Sequence, residues 1–347
     1  MFRVFNLFVY DIEMMNFSSV ISEKFPRKKI IVVGDLVADQ FLHGTISRVS
    51  REAPVFILRH DETETLAGGA ANAAVNVASL GGNAILIGAV GADVNGTALL
   101  EKLCDSNVNC DFVVSSTNIQ TTTKIRVLAG QHYAPRQQVI RIDYENKKSI
   151  QSEIIEKLKL NLIKASENAD AIIISDYNYG IANRKIFKAA EKIVQEKQIP
   201  LLIDSRFRLE EFSNATTATP NQEEIEQILG ADFTEENCIE LCCKLGYEAL
   251  LITRGNAGML LIEKDKTFEF EAVGAKEPID VTGAGDTVIA AYALGLACGI
   301  GFAESAKMAN HAGGIVVMKK GTASVTAEEL LISIETNYKL QISNQNL

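Results

Sequence analysis

The sequence predicts an α/β fold: a mainly parallel central sheet covered by helices on both faces, with a small β-sheet inserted into the framework. Three features point there. Short apolar runs recur and end in Gly, Asp, Ser or Thr; helical stretches separate them; and two segments rich in β-branched residues interrupt the alternation. A parallel strand is buried on both faces, so it reads as a continuous apolar run. Strands alternating with helices imply βαβ units.

Residues 1–28 come first. Their apolar part is short, carries Asp11 and Glu13 and lacks a small-residue cleavage site. They are expected to be an amphipathic extension, with Met15 as an alternative first residue, not a secretory signal. The runs "KIIVVGDLVAD" (29–39), "NAILIGAVG" (83–91), "DAIIISDY" (170–177), "PLLIDS" (200–205) and "ALLITRGNAG" (249–258) are the expected parallel strands. Helices are expected over "GAANAAVNVASLG" (69–81) and "NRKIFKAAEKIVQEKQI" (183–199). In such sheets ligands bind outside the carboxyl ends of the strands, where Asp35, Asp176, Asp204 and Thr253 would gather. Segments 44–65 and 110–143 read as antiparallel hairpins. A sheet that small buries little by itself, so it is expected to cover the site, meet a second subunit, or both. With no repeat or linker in the sequence, residues 29–335 are read as one domain with this lid, and 336–347 as a tail.

Composition limits the function. Hydrophobic residues make up 47% of the chain, enough for a sizeable core. A net charge of −10 argues against a nucleic-acid or membrane coat. No apolar run reaches membrane-spanning length without charge or turn residues, so a cytoplasmic protein is expected. The six cysteines (104, 110, 238, 242, 243, 298) form no zinc-type spacing and read as reduced thiols.

The chemistry begins with "DVTGAGD" (280–286). A helix starting near Gly283 leaves its first amides unpaired with the positive end of its dipole behind them. Gly283, Ala284 and Gly285 would let an anion approach that backbone, as a transferring phosphoryl group requires. Asp286 would accept the proton of the attacking hydroxyl. Alone, the motif better suits a packing turn, with Asp286 placed to suit the helix dipole. A second glycine pair, Gly68-Gly69, runs into a helix that carries Asn72.

Together these stretches resemble the paired signatures of the ribokinase-like carbohydrate kinases, the PfkB family, from about Ile30 to Leu330. The resemblance implies a three-layer α/β/α fold and an ATP- and Mg²⁺-dependent sugar kinase. It places Asp39 of "VVGDLVAD", Gly69 and Asn72 at the sugar, with Asp35, Gly68 and Asp176 beside them. "TPNQEEIE" matches its N-x-x-E motif, so Asn221 and Glu224 would organise magnesium and phosphates. "TRGNAG" matches its nucleotide loop (Thr253, Gly255, Gly258), and Asn310 falls near the base. Near Asp280 some relatives hold a monovalent cation such as potassium. A dimer through the lid sheets is also implied.

Within the family the chain is most similar to the D-glycero-β-D-manno-heptose 7-phosphate kinases. "GTISRVSREAPVFIL", "KIRVLAG…QQVIRID" and "SDYNYG" carry that likeness. It implies transfer to the anomeric hydroxyl, giving the 1,7-bisphosphate. A second phosphate needs cations in the lid, for which Arg48, Arg51, Lys124, Arg126, Arg136 and Arg141 are available, Lys124 and Arg141 foremost. Two departures leave the acceptor open: Tyr179 stands where that group has lysine, and Arg206 replaces the lysine of D-P-K-G. The alternatives are another sugar, sugar phosphate or nucleoside, or a sensor without turnover. The four histidines form no H-x-G-H motif, so adenylyl transfer would fall to a separate nucleotidyltransferase.

Overall fold

The computed structural model describes residues 17–130, 136–146, 149–264, 266–274 and 277–344. In chain order the strands are β1 (Lys29–Gly34), β2 (Leu36–Val49), β3 (Phe56–Gly69), β4 (Asn83–Ile87), β5 (Ala89–Gly91), β6 (Val114–Ser116) and β7 (Thr123–Gly130). They continue with β8 (Gln137–Tyr144), β9 (Ala171–Asp176), β10 (Leu201–Ser205), β11 (Thr217–Ala218), β12 (Ala249–Thr253), β13 (Met259–Glu263) and β14 (Lys266–Phe270). The helices are α1 (Ala70–Ser79), α2 (Val94–Asp105), α3 (Ser152–Ala165), α4 (Arg184–Lys197), α5 (Gln222–Leu229), α6 (Glu235–Leu245), α7 (Ala284–Ala297), α8 (Phe302–Val316) and α9 (Ala327–Asn344).

The main sheet runs β14-β13-β12-β11-β10-β9-β1-β4. Its first three strands pair antiparallel and the rest parallel. Along β1 the side chains alternate between two cores. Ile30 and Val32 face α1, α7 and α8, whereas Ile31 and Val33 face α3, α4 and α6. That is the expected three-layer arrangement, with the core divided by the sheet. Among the described residues no helix is long and apolar enough to cross a membrane, and the six cysteines are free thiols.

The lid differs from expectation in two ways. The run 29–39 is not one strand: the chain breaks at Asp35, and β2 carries Asp39 outward into the lid. The lid sheet, ordered β3-β2-β7-β8, holds two antiparallel hairpins that join through a parallel β2–β7 pairing; the second is shorter than the expected 110–143, because β6 pairs with β5 in a separate two-stranded sheet. Parallel neighbours need a long crossover, and the chain from β3 through α1 and α2 supplies it. Both hairpins therefore leave the main sheet in the same direction.

The ends also differ. Phe17, Val20, Ile21 and Phe25 are buried in the core, each contributing on the order of 2 kcal/mol, so residues 17–28 are part of the domain. Phe17 meets Tyr338 of α9 with ring centroids 6.5 Å apart. α9 runs unbroken past residue 335, so no boundary falls there. Residues 1–16 and the lid-hairpin residues 131–135, His132 included, lie outside the described residues.

Candidate active site

Helix α7 begins directly behind Gly283, whose φ of 78° is left-handed. A Cβ there would also lie 2.5 Å from Asn72 Nδ2, so both backbone and packing require glycine. Gly285 is different: its φ is not left-handed, it is exposed, and a Cβ would meet nothing within 4 Å. Packing gives no reason for glycine at 285; close approach of an anion to the backbone does. Among the described residues the amides of Gly283, Gly285 and Asp286 have no acceptor, whereas Ala284 N–H donates to Val281 O at 3.2 Å. Of the three amides expected to be unpaired, two are, and that of Asp286 joins them.

Asp286 is 2% exposed. Asn72 Nδ2 donates to its Oδ2 at 2.7 Å and the Tyr177 hydroxyl to its Oδ1 at 3.1 Å. Burial and the nearby Asp204 carboxylate push its carboxyl up to about 8. A base with that affinity for a proton suits a sugar hydroxyl near neutral pH. Behind Asn72 lies a buried chain: Asn76 Nδ2 donates to Asn72 Oδ1 (3.3 Å), and Thr287 Oγ1 donates to Asn76 Oδ1 (2.9 Å). The amide orientation of Asn72 is therefore set from the same helix that carries the base.

Beside this group the lid contributes Asp39, to which Arg126 Nη1 donates at 2.6 Å. A Cβ on Gly68 would fall 2.8 Å from Asp39 Oδ2, and one on Gly69, with φ 58°, 2.6 Å from Asp35 O. Lys124, in register with Asp39 on β2 and Asp143 on β8, lies over the rings of Tyr177 and Tyr179 at 5.7 and 5.8 Å. Burial holds its ammonium below the usual lysine value. Lys124, Arg141, Arg206, Tyr177 and Tyr179 line one cleft of about 600 Å³. Arg141 is held by Asp143 through two bonds of 2.9 Å. Arg206 lines the same cleft as Tyr179. Arg136 does not: it pairs with Asp61 at 2.8 Å.

Asp35 and Asp176, expected beside the acceptor, have scaffolding duties. Asp35 accepts the backbone amides of Tyr177, Tyr179 and Ile181 at 3.0, 2.9 and 2.9 Å. Asp176 accepts from Asn178 N–H, Ser205 Oγ and Arg208 Nη2. Together they shape the loop that presents Tyr177.

On the nucleotide side, Asn221 and Glu224 form a reciprocal cap on α5, each side chain accepting the other's amide at 2.9 Å. Thr253 N–H donates to Pro220 O at 3.0 Å, which joins this turn to the Gly255–Ala257 turn. Gly258 is a packing glycine, since a Cβ would fall 1.9 Å from Phe270 O, whereas Gly255 faces open space. Asn310 donates to Glu271 O at 2.7 Å. His311 is buried against Ser333 and its imidazole is pushed down to about 4 by that burial. Asp280 accepts the amides of Thr282 and Gly321, both at 2.9 Å; although burial opposes it, these bonds hold its carboxyl below the usual range.

Burial pushes Glu224 up to about 7, and burial plus the Glu224 charge pushes Asp204 to about 7. Two crowded carboxylates, partly offset by the Arg206 charge, fit a divalent cation. No group of three or more His, Cys, Asp or Glu side chains among the described residues could hold one. Magnesium often binds one or two carboxylates plus substrate phosphates, and Glu224 fits that role.

Sequence reasoning missed Tyr177, Asn76 and Thr287 as parts of the site. The signal for Asn76 was present: Asn72 and Asn76 sit four apart on a largely apolar, alanine-rich helix, a spacing that shares one face.

Fold and site together combine a three-layer α/β sheet, a glycine turn with unpaired amides, a buried carboxylate beside it and a lid sheet that carries Asp39 and Lys124. The chain belongs to the pfkB family of carbohydrate kinases, whose profile matches residues 27–329. It is 40% identical over 317 residues to the Bifunctional protein HldE of Pasteurella multocida, covering 89% of this chain and 64% of the relative. With that of Proteus mirabilis it shares 39% over 311 residues, covering 88% and 64%. The chain thus spans 64% of the length of these relatives. Among solved structures, an Arabidopsis thaliana ribokinase complexed with ribose and ATP superposes with TM-score 0.67 at 22% identity, covering 89% of this chain and 98% of that one. The Escherichia coli phosphofructokinase-2 in complex with potassium superposes with TM-score 0.72 at 18% identity, with the same coverage of each chain.

Proposed function

We propose that the chain uses ATP and magnesium to phosphorylate D-glycero-β-D-manno-heptose 7-phosphate at its anomeric oxygen, giving the 1,7-bisphosphate. The observation that carries this reading is the cleft holding Lys124, Arg141 and Arg206, which touches the base through Tyr177. A sugar seated by Asp39 and Asn72 would put a distal phosphate among those cations and its reacting hydroxyl at Asp286. Asp286 takes the proton, and the amides of Gly283 and Gly285 receive the oxygens of the transferring phosphoryl. Magnesium, held at Glu224, would neutralise phosphate charge. The nucleotide would lie along Asn221, Thr253 and Gly255, with Asn310 holding the neighbouring loop. Asp280 organises the loop where a potassium ion would act, so exchange into potassium-free buffer is expected to lower turnover.

ADP release from purified protein with Mg-ATP and a panel of heptoses, hexoses, pentoses and nucleosides, each with and without phosphate, tests the reading. Turnover is expected with the heptose 7-phosphate; preference for a neutral acceptor overturns it. Binding across the panel without ADP release favours the sensor. Exposed Val49, Val55, Phe56, Ile140 and Ile142 on the lid support a dimer through it, which sedimentation checks.

A further inference from the structure

We propose that Tyr177 is a positioning residue tying the general base to the cation that recognises the acceptor's phosphate: its hydroxyl orients the Asp286 carboxylate while its ring carries the Lys124 ammonium. The proposal rests on the kinase reading above and adds to it a link between the two ends of the acceptor.

The geometry is continuous. The Tyr177 hydroxyl donates to Asp286 Oδ1 at 3.1 Å, and Lys124 Nζ lies 5.7 Å from the centre of the same ring. Burial, then the Asp286 charge, pushes the phenol well above its ordinary value, so it stays protonated and donates to the ionised base. The ring has little freedom. Asp35 accepts the Tyr177 amide at 3.0 Å, and a Cβ on Gly69 would lie 3.4 Å from Tyr177 Cδ2. The Lys124 ammonium sits over the rings of both Tyr177 and Tyr179, facing the cleft with Arg141 and Arg206. An acceptor phosphate entering that cleft therefore contacts a cation resting on the residue that aims the base. Besides Tyr177, the groups facing Asp286 are Asn72 on α1, Asp204 on β10 and Asp39 on β2. Tyr177 and Asn72 donate to it, and the two carboxylates repel its charge. Removing the Tyr177 donor leaves repulsion less opposed, so the base holds its proton to higher pH.

Tyr177→Phe keeps the ring under Lys124 and removes only the hydroxyl. At pH 7 its kcat is expected to fall about tenfold, the scale of one charge-assisted hydrogen bond, with KM for the phosphorylated acceptor nearly unchanged. The loss should shrink at alkaline pH, because the acid limb of kcat/KM moves up. Replacing Tyr177 with 3-fluorotyrosine, a stronger donor of nearly the same shape, should move that limb down and guards against a folding defect in the phenylalanine variant. Lys124→Met should lower kcat less in the Tyr177→Phe background than in the wild type. An unmoved acid limb in both tyrosine variants, or independent multiplication of the two kcat losses, overturns the link. If the wild type turns over only neutral sugars, the acceptor reading fails and the Lys124 half of the link fails with it. The acid limb measured on that neutral sugar then decides the tyrosine–base half.

Discussion

Buried aspartates at and near the carboxyl ends of the parallel strands fall into two sets, and their hydrogen bonds tell them apart. Asp35 and Asp176 are filled by donors that belong to the fold: three loop amides for one; a loop amide, Ser205 and Arg208 for the other. Among the described residues Asp286 has only Asn72 and Tyr177 as donors, with Asp204 close enough to raise its proton affinity. A carboxylate saturated with fixed donors builds a loop. One held by two side chains and crowded by like charge can take a proton from something else. The comparison teaches that residue type and strand-end position do not separate the two sets; the origin of their donors does.

The largest expected effect follows directly. Asp286→Asn should fold normally and lose about 10²–10⁴-fold in kcat, the usual contribution of a general base. A loss below about tenfold would place Asp286 with the scaffolding set. On the other side, Arg208→Met should act on stability. It strands the buried Asp176 charge, at a cost of about 3–5 kcal/mol in chemical denaturation. Unchanged stability with lost turnover would move Asp176 into the catalytic set. Lys124→Met should raise KM for a phosphorylated acceptor about tenfold to a hundredfold, the range for hydrogen bonds to charged groups, and leave KM for an unphosphorylated one in place.

Much of this was legible in the sequence. The glycine turn before α7 was read from small residues ahead of an apolar run, and Asn72 from its place in the second glycine motif. Asp39 was identified, but its strand was not, because an apolar run does not reveal that Gly34-Asp35 hands the chain from one sheet to another. Periodicity marks strands without fixing partners, so the parallel β2–β7 seam was invisible. Tyr177 lies within "SDYNYG" without standing out, since a tyrosine beside a strand end has no chemistry until a base lies within reach. The scaffolding role of Asp35 escaped for a related reason: backbone donors leave no trace in side-chain identity.

The same contrast predicts an opposition between stability and activity. In the folded protein the Asp286 carboxyl is raised from 3.8 to about 8, so the native state binds that proton more tightly than the unfolded chain. Its contribution to stability is full below about pH 4 and is lost as pH climbs through about 8. Asp286→Asn cannot titrate there. The melting temperature of the variant relative to the wild type should therefore rise steadily from about pH 5 to about pH 9. A flat difference would mean that the folded carboxyl has an ordinary proton affinity.

The smallest expected change in stability, at Gly285, separates packing from function most cleanly. An alanine there meets no atom within 4 Å and adopts the helical backbone without strain, so it should stabilise the first turn of α7 by less than about 1 kcal/mol. Gly283→Ala should instead destabilise, because it forces a side chain into a left-handed backbone and against Asn72. If the unpaired amides of this turn receive the moving phosphoryl, the new methyl at 285 stands in its path, and kcat should drop while thermal stability holds or improves. A Gly285→Ala protein with full turnover would show that no anion comes close to that amide. The cradle would then reduce to the neighbourhood of Gly283, where structure alone already demands glycine.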